Sequence, residues 1–217
     1  MAYVPALVEL AERTMGSLDV VNGANDWVDY GMDVGVKIYK RNKEGSSISM
    51  GKGVKEVEGN AKYLASRFFE LKAPGKLSEW DETFILYETF DTLLEDPSFQ
   101  LTVDYMTSKL PWPVWGRDFV LLNANKVEAN RVVQIQTSCL HPDRPERPKE
   151  FVRGDISLSA FIFEPADSLP LSSSSRTKIT RILHVEPKGL LPGWIINTQT
   201  TKQLSLIINN IETLNSP

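Results

Sequence analysis

The feature that most constrains this chain is its closing stretch, His184 to Leu214. A short extended run from Ile179 to Val185 halts at Glu186-Pro187-Lys188-Gly189, where Pro and Gly stop a strand and turn the chain. Pro192 then opens a helical pattern, its fixed φ suited to a first turn. Ile196, Thr200, Leu204, Ile207, Ile211 and Leu214 recur at steps of four and three, which is one face of an α-helix. Lys202, Ser205, Asn209 and Glu212 keep the same rhythm on the other face. An amphipathic helix over about 192–214 needs a large apolar surface to lie on, so the preceding chain has to supply one. Taken alone, such a stripe marks an ordinary core-facing helix.

The earlier chain reads as strands with a few helices. Pro5 to Met15 has Leu7, Leu10, Ala11 and Met15 on one side, with Gly16 as its stop. Extended structure begins at Trp27, and Gly35 to Arg41 alternates in strand fashion. After a polar turn, Ile48 to Val57 reads as a strand in which Gly51 and Gly53 suggest a bend or bulge. Asn60 caps a helix over Ala61 to Lys72, stopped by Ala73-Pro74-Gly75, and Leu77 to Asp81 is a helical turn carrying Trp80. Strand-like runs then follow at Phe84–Leu94, Phe99–Ser108, Asp118–Val127, Arg131–Leu140, Phe151–Glu164 and Lys178–Val185. Short turns between successive strands favour an antiparallel sheet. The serines 172–175 sit in a loop expected to be mobile. The order predicts one α+β domain over residues 1–217, a curved sheet closing over its last helix.

Composition removes several function classes. A net charge of -4 lacks the basic footprint of a nucleic-acid binder. No apolar run reaches the ~18 residues that a membrane span needs. The N-terminal residues carry acids and lack a basic start or a small-residue cleavage site, which does not fit a secretory signal. Cys139 is the single cysteine, so no internal disulfide forms, and a cytoplasmic setting is expected. His141 and His184 are the only histidines and lack ligand spacing, so no metal is expected. No phosphate-loop, dinucleotide or nucleophile-elbow motif is present, and no cofactor is expected.

Several stretches in order carry a family resemblance. GVKIYKR, LPWPVWGRDFV (Leu110 to Val120), the pair His141-Pro142 with FVRG at Phe151 to Gly154, and EPKGLLPGWIIN (Glu186 to Asn197) together resemble the START family, the StAR-related lipid-transfer domains. The resemblance runs from about Trp27 to Leu214. It implies a helix-grip fold, in which a curved antiparallel sheet wraps the C-terminal helix around a tunnel for one lipid. It also implies lipid binding or transfer without catalysis, with transient contact to a membrane surface. The tunnel wall so implied is Asp104, Met106, Ser108, Phe119, Leu121, Asn123, Ser157 and Ser159 from the strands. Ile196, Thr200, Leu204 and Ile207 face it from the helix.

Head-group positions depart from the better-known members. The phosphatidylcholine carriers' aromatic cage and Arg match Met106, Phe119, Ser157 and Leu77, and only Phe119 keeps a ring. The acid of sterol carriers matches Asp104, but their Arg matches Asn123; ceramide carriers' amide and imidazole match Met106 and Ser108. A lipid or sterol-like molecule with a small polar group is the expectation. Period-two alternation sends Leu101, Val103 and Tyr105 to a core, while the resemblance sends Thr102, Asp104, Met106 and Ser108 inward. Both hold only if the sheet is covered on both faces. Asp104 is therefore open to two readings, ligand contact or surface acid; facing inward, it needs a donor such as Asn123. Arg117-Asp118 reads as a local ion pair fixing its turn, with ligand binding as the alternative, and Trp112 and Trp115 as loop packing or membrane contact. The alternative function is an enzyme on the related birch-pollen-allergen-like fold, a cyclase or hydrolase with Asp104 or His184 as base, or else a lipid-sensing interaction module.

Overall fold

Both faces of the central strands carry residues that must be covered, and the fold answers with helices on each side. The computed structural model describes residues 3–71, 76–110, 114–167, 169–189 and 191–215. The stop at Ala73-Pro74-Gly75, Trp112 and the side chain of Leu77 lie outside the described residues. Helix α1 (Tyr3–Gly23) precedes strands β1 (Val28–Asp33), β2 (Val36–Arg41) and β3 (Met50–Glu58). Helices α2 (Ala61–Glu70) and α3 (Lys76–Trp80) lead to β4 (Phe84–Asp96), β5 (Phe99–Ser108), β6 (Arg117–Val127) and β7 (Val132–Ser138). Then come β8 (Val152–Arg153), β9 (Asp155–Pro165), β10 (Arg176–Glu186) and the closing helix α4 (Gly193–Thr213). The strands form one curved sheet in the order β1-β2-β3-β10-β9-β7-β6-β5-β4, antiparallel throughout, with β8 parallel to β6 at its side.

On the convex face, Leu101, Val103, Val120, Leu122, Ala124, Ile135 and Ile162 pack with Leu7, Ala11 and Leu18 of α1. On the concave face α4 lies along β2, β3 and β10, and α2 covers β9. There Leu204, Ile207, Ile208 and Ile211 join Leu64, Phe68, Phe161 and Phe163. The conflict over β5 is thereby resolved: odd residues meet α1, and even residues face the α4 side.

Three local expectations are corrected. Helix α1 runs through Gly16 to Gly23, because Leu18 continues the Leu7–Ala11 stripe and is 1% exposed. Burying that leucine outweighs the ~1 kcal/mol penalty of a helical glycine. Gly51 and Gly53 make no bulge; β3 keeps continuous register with both neighbours. Their role is close approach, since a Cβ on Gly51 would lie 2.9 Å from Leu204 Cδ1 and one on Gly53 3.1 Å from Ile208 Cδ1. The run Phe151–Glu164 splits at Gly154, where a Cβ would lie 2.3 Å from the Phe119 ring.

The serine loop is tied down at both ends. Asp167 accepts from the backbone N–H and hydroxyl of Ser175, at 2.9 and 3.0 Å, and these bonds hold its carboxyl below the usual range. Asn60 caps α2 through Tyr63 N–H and donates from its amide to the carbonyls of Leu171 and Ser174. One side chain thus fixes both the helix start and the loop.

Candidate functional site

A buried polar network occupies the concave face of β4 to β9. Asp104 is 0% exposed and accepts from Tyr87 Oη at 2.5 Å, Thr89 Oγ1 at 2.7 Å and Thr102 Oγ1 at 2.9 Å. Charge-assisted bonds of this kind are what make a buried carboxylate tolerable. Gln136 Nε2 donates to Tyr87 Oη at 2.9 Å, and Ser159 Oγ reaches Gln136 Oε1 at 3.4 Å. Burial, with the Asp104 charge second, holds the Tyr87 phenol well above its ordinary pKa, so it remains a donor. Asn123 Nδ2 donates to Thr102 Oγ1 at 3.1 Å, while Asn123 Oδ1 is buried with no partner among the described residues. Turning the amide over would orphan its nitrogen instead, so one polar atom is unpaired either way.

Strand register explains the assembly. Cross-strand pairing sets Thr102 opposite Asn123, Asn123 opposite Gln136, and Gln136 opposite Ser159. Beside this row, Met106, Phe119 and Leu121 pack with Tyr87 and Ile156. Asp104, Met106, Phe119, Leu121, Asn123 and Ser159 are therefore brought together on one face. The surface-acid reading of Asp104 is overturned, and its donors are not Asn123 but the hydroxyls of β4 and β5. Ser108 is half-buried at the end of β5, opposite Arg117.

Ser157 does not share that face. Between His184 and Val185 the β9–β10 pairing shifts, and Ser157 is the extra residue. The bulge breaks alternation, and its hydroxyl turns to His184 Nδ1 at 2.7 Å beneath α1. On α4, Ile196 and Thr200 are 9% and 7% exposed, whereas Leu204 and Ile207 are locked into the core. Ser205, assigned to the outer face, is also buried.

A second polar group joins α4 to the sheet. Arg181 on β10 donates from Nη1 to the Gln203 carbonyl at 2.7 Å, and its guanidinium lies 4.8 Å from the Phe161 ring centre. Gln203 Nε2 in turn donates to the Asp81 carboxylate. Burial pulls the Arg181 guanidinium down to about 9, opposed by Asp81, so it stays charged at neutral pH. Its Nε is buried and without a partner among the described residues. Sequence reasoning missed Tyr87, Thr89, Gln136 and Arg181.

Arg117 and Asp118 do not pair, because neighbours on a strand point to opposite faces. Asp118 takes both forks of Arg153, at 3.0 and 2.8 Å, and Tyr105 Oη at 3.1 Å. Arg117, 3% exposed, donates to the carbonyls of Trp115, Pro187 and Lys188, which ties the start of β6 to the turn before α4. That turn holds Lys188 at φ 52° and Gly189 at φ 74°.

Comparison with known proteins gives the architecture its place. The human START domain-containing protein 10 is 27% identical over 119 residues, 55% of this chain; the match spans 37% of that relative's length. Among solved structures, human STARD10 superposes with a TM-score of 0.75 at 18% identity, covering 94% of this chain and 78% of that one. Human StAR-related lipid transfer protein 5 superposes with a TM-score of 0.73 at 18% identity, covering 97% and 95%. The family model for the START domain matches residues 11–213. The chain has the helix-grip fold and belongs to the START domain family.

Proposed function

We propose that this chain holds one lipid between the Asp104 network and α4 and exchanges it with membranes without a catalytic step. The observation that carries this reading is the polar network itself, on the helix-gripping face, with the Asn123 amide incompletely satisfied. A protein donor or acceptor is normally supplied to such a group, because an unpaired buried polar atom costs ~1–3 kcal/mol. A hydroxyl or amide on the ligand would supply it. Of the positions that match a choline cage only Phe119 carries an aromatic ring, and the neighbouring Tyr87 hydroxyl is engaged by Asp104, so a small polar head is favoured over phosphocholine. Asp104 is fully engaged by donors, which suits a positioning acid better than a free catalytic base.

Energetics support exchange rather than irreversible capture. Moving a chain of roughly 16 methylenes from water into an apolar site gains on the order of 13 kcal/mol. A bilayer offers a similar gain, so transfer between the two is near balance. Trp115, whose carbonyl Arg117 holds, and Trp194, in the first turn of α4, are 53% and 71% exposed, and indole rings favour the membrane interface. Motion at the Lys188-Gly189 turn would open that end. Burial pushes the Cys139 thiol up to about 12, which keeps it a protonated, unreactive thiol; a cytoplasmic location is proposed on the single cysteine alone. The whole of 1–217 acts as one domain in this scheme.

The test is a vesicle-to-vesicle assay with fluorescent phosphatidylcholine, phosphatidylethanolamine and sterol in turn. At least one should move with the wild-type chain and at least tenfold more slowly with Met106→Trp. Equal rates for the two proteins with every lipid would contradict the placement.

A further inference from the structure

On the convex face, away from the proposed lipid site, the β9 bulge creates a different chemistry. Leu158 pairs with His184 and Ile156 with Val185, and Ser157 between them is set out of register. Bulges re-aim side chains, and this one puts Ser157 on the wall of a cleft of about 500 Å³ between α1 and the sheet. Leu10, Val21, Met50 and Leu158 make the cleft apolar, while Arg13 and Lys43 bring cations to it. Its size is that of a small-molecule site.

His184 lies beneath, 0% exposed. Its Nε2 is 3.2 Å from the carbonyl oxygen of Ile48, which can only accept, so Nε2 carries the ring proton. Nδ1 therefore presents a lone pair to Ser157 Oγ, 2.7 Å away, and the hydroxyl donates to it. Glu186 Oε1 stands 3.8 Å from Nε2, on the far side of the ring. A hydroxyl aimed at a neutral imidazole, whose other nitrogen is held by a carbonyl and faced by a carboxylate at 3.8 Å, has the geometry of an activated nucleophile. Burial and the Lys43 charge keep the ring neutral, against the pull of Glu186 and Asp155, so its lone pair is available at neutral pH. A hydrogen bond serving only to close the bulge would not require the hydroxyl to line an open cleft.

We propose that Ser157 and His184 act as nucleophile and base, with Glu186 as a nearby charge that favours the protonated ring as it forms, in the hydrolysis of small carboxylic esters bound in the α1 cleft. Ser157 Oγ adds to the ester carbonyl carbon while its proton passes to His184 Nδ1. Collapse of the adduct breaks the bond to the alkoxide, which takes that proton from His184 and leaves as the alcohol. Water then adds to the acyl-serine by the same relay and releases the carboxylic acid. Ester and water give acid and alcohol, with no redox change. Lys43, near enough for its charge to act on His184, is the cation available to the oxyanion. Ser157, His184, Glu186 and Lys43 are not among the proposed lipid contacts, although Ile156 borders both the cleft and the Met106–Phe119 cluster.

The experiment uses the whole chain, a fluorophosphonate probe and p-nitrophenyl butyrate. A single phosphonyl adduct should map to Ser157, and ester hydrolysis should fall at least ~100-fold in Ser157→Ala and in His184→Gln. Ser173→Ala, an exposed serine outside the cleft, should retain the wild-type rate. Ser157→Ala removes one hydroxyl, and an unchanged thermal melt will separate lost chemistry from lost folding should His184→Gln unfold. An absence of adduct at Ser157, or hydrolysis undiminished in folded Ser157→Ala, overturns the assignment.

Discussion

The two faces of β5 and β6 are made by alternate residues of the same strands, yet they hold opposite chemistry. Toward α1 stand Leu101, Val103, Val120, Leu122 and Ala124, all within 1% exposure. Toward α4 stand Thr102, Asp104, Asn123 and Asn125, and the last three are also buried. That stretch of the first face needs only shape and volume to be stable; its charged group, Asp118 at the start of β6, is held by Arg153 and Tyr105. The second requires every donor and acceptor to be matched, and Asn123 Oδ1 has no partner among the described residues. Hydrocarbon on both faces would serve stability alone, and the polar groups on the α4 side, beside Met106, Phe119 and Leu121, are what the proposed lipid would meet.

Substitutions on the two faces should therefore fail differently. Leu122→Ala, on the apolar face, should cost ~2–5 kcal/mol by transfer and cavity terms. Thermal melting should show it as a fall of at least ~5 °C, while lipid bound per folded molecule stays constant. Asp104→Ala leaves the hydroxyls of Tyr87, Thr89 and Thr102 without their acceptor, and urea unfolding should register a loss of ~1–3 kcal/mol. Unlike Leu122→Ala, it should also lower lipid retention. Gly53→Ala brings a Cβ to 3.1 Å from Ile208, 3.2 Å from Val36 and 3.3 Å from the Leu204 Cβ. The α4 seat should lose ~1–2 kcal/mol in the same unfolding assay.

Asn123→Leu sharpens the contrast, since it removes the unpaired oxygen. Stability should stay within ~1 kcal/mol of wild type, while lipid uptake from vesicles drops. The smallest effect concerns acid. Burial depresses the folded-state pKa of His184, so below its unfolded value near 6.5 the unfolded chain takes up a proton that the native one refuses. The unfolded state then binds more protons, and stability falls as pH drops below about 6.5 until the lower native value is passed. The difference in unfolding free energy between wild type and His184→Gln should shrink from pH 7 to 5; a constant difference would refute this.

Much of this was readable from residue order, for reasons specific to each element. The α4 stripe and the bounds of β5 follow from periodicity, which packing on both sides reinforced. The partners of Asp104 did not follow, because register is set by bulges that leave no mark in composition. From Asp96 opposite Phe99, a regular hairpin would set Asp91 opposite Asp104; two register shifts in β4 set Thr89 there instead. A hydroxyl donor thus replaces a repelling carboxylate. Ser157 was misplaced for the same reason, by one residue of slip at His184. Gly51 and Gly53 were misread because their neighbour, α4, lies about 150 positions away in sequence and no local pattern announces it.

On the proposed reading, the polar, concave face encloses one lipid. Native mass spectrometry of the chain after incubation with vesicles of phosphatidylcholine, phosphatidylethanolamine and cholesterol tests it most directly. A single one-to-one lipid adduct, kept in Leu122→Ala and lost in Met106→Trp, is the predicted result. No adduct with any of these lipids, or an adduct equally abundant in Met106→Trp, would contradict it.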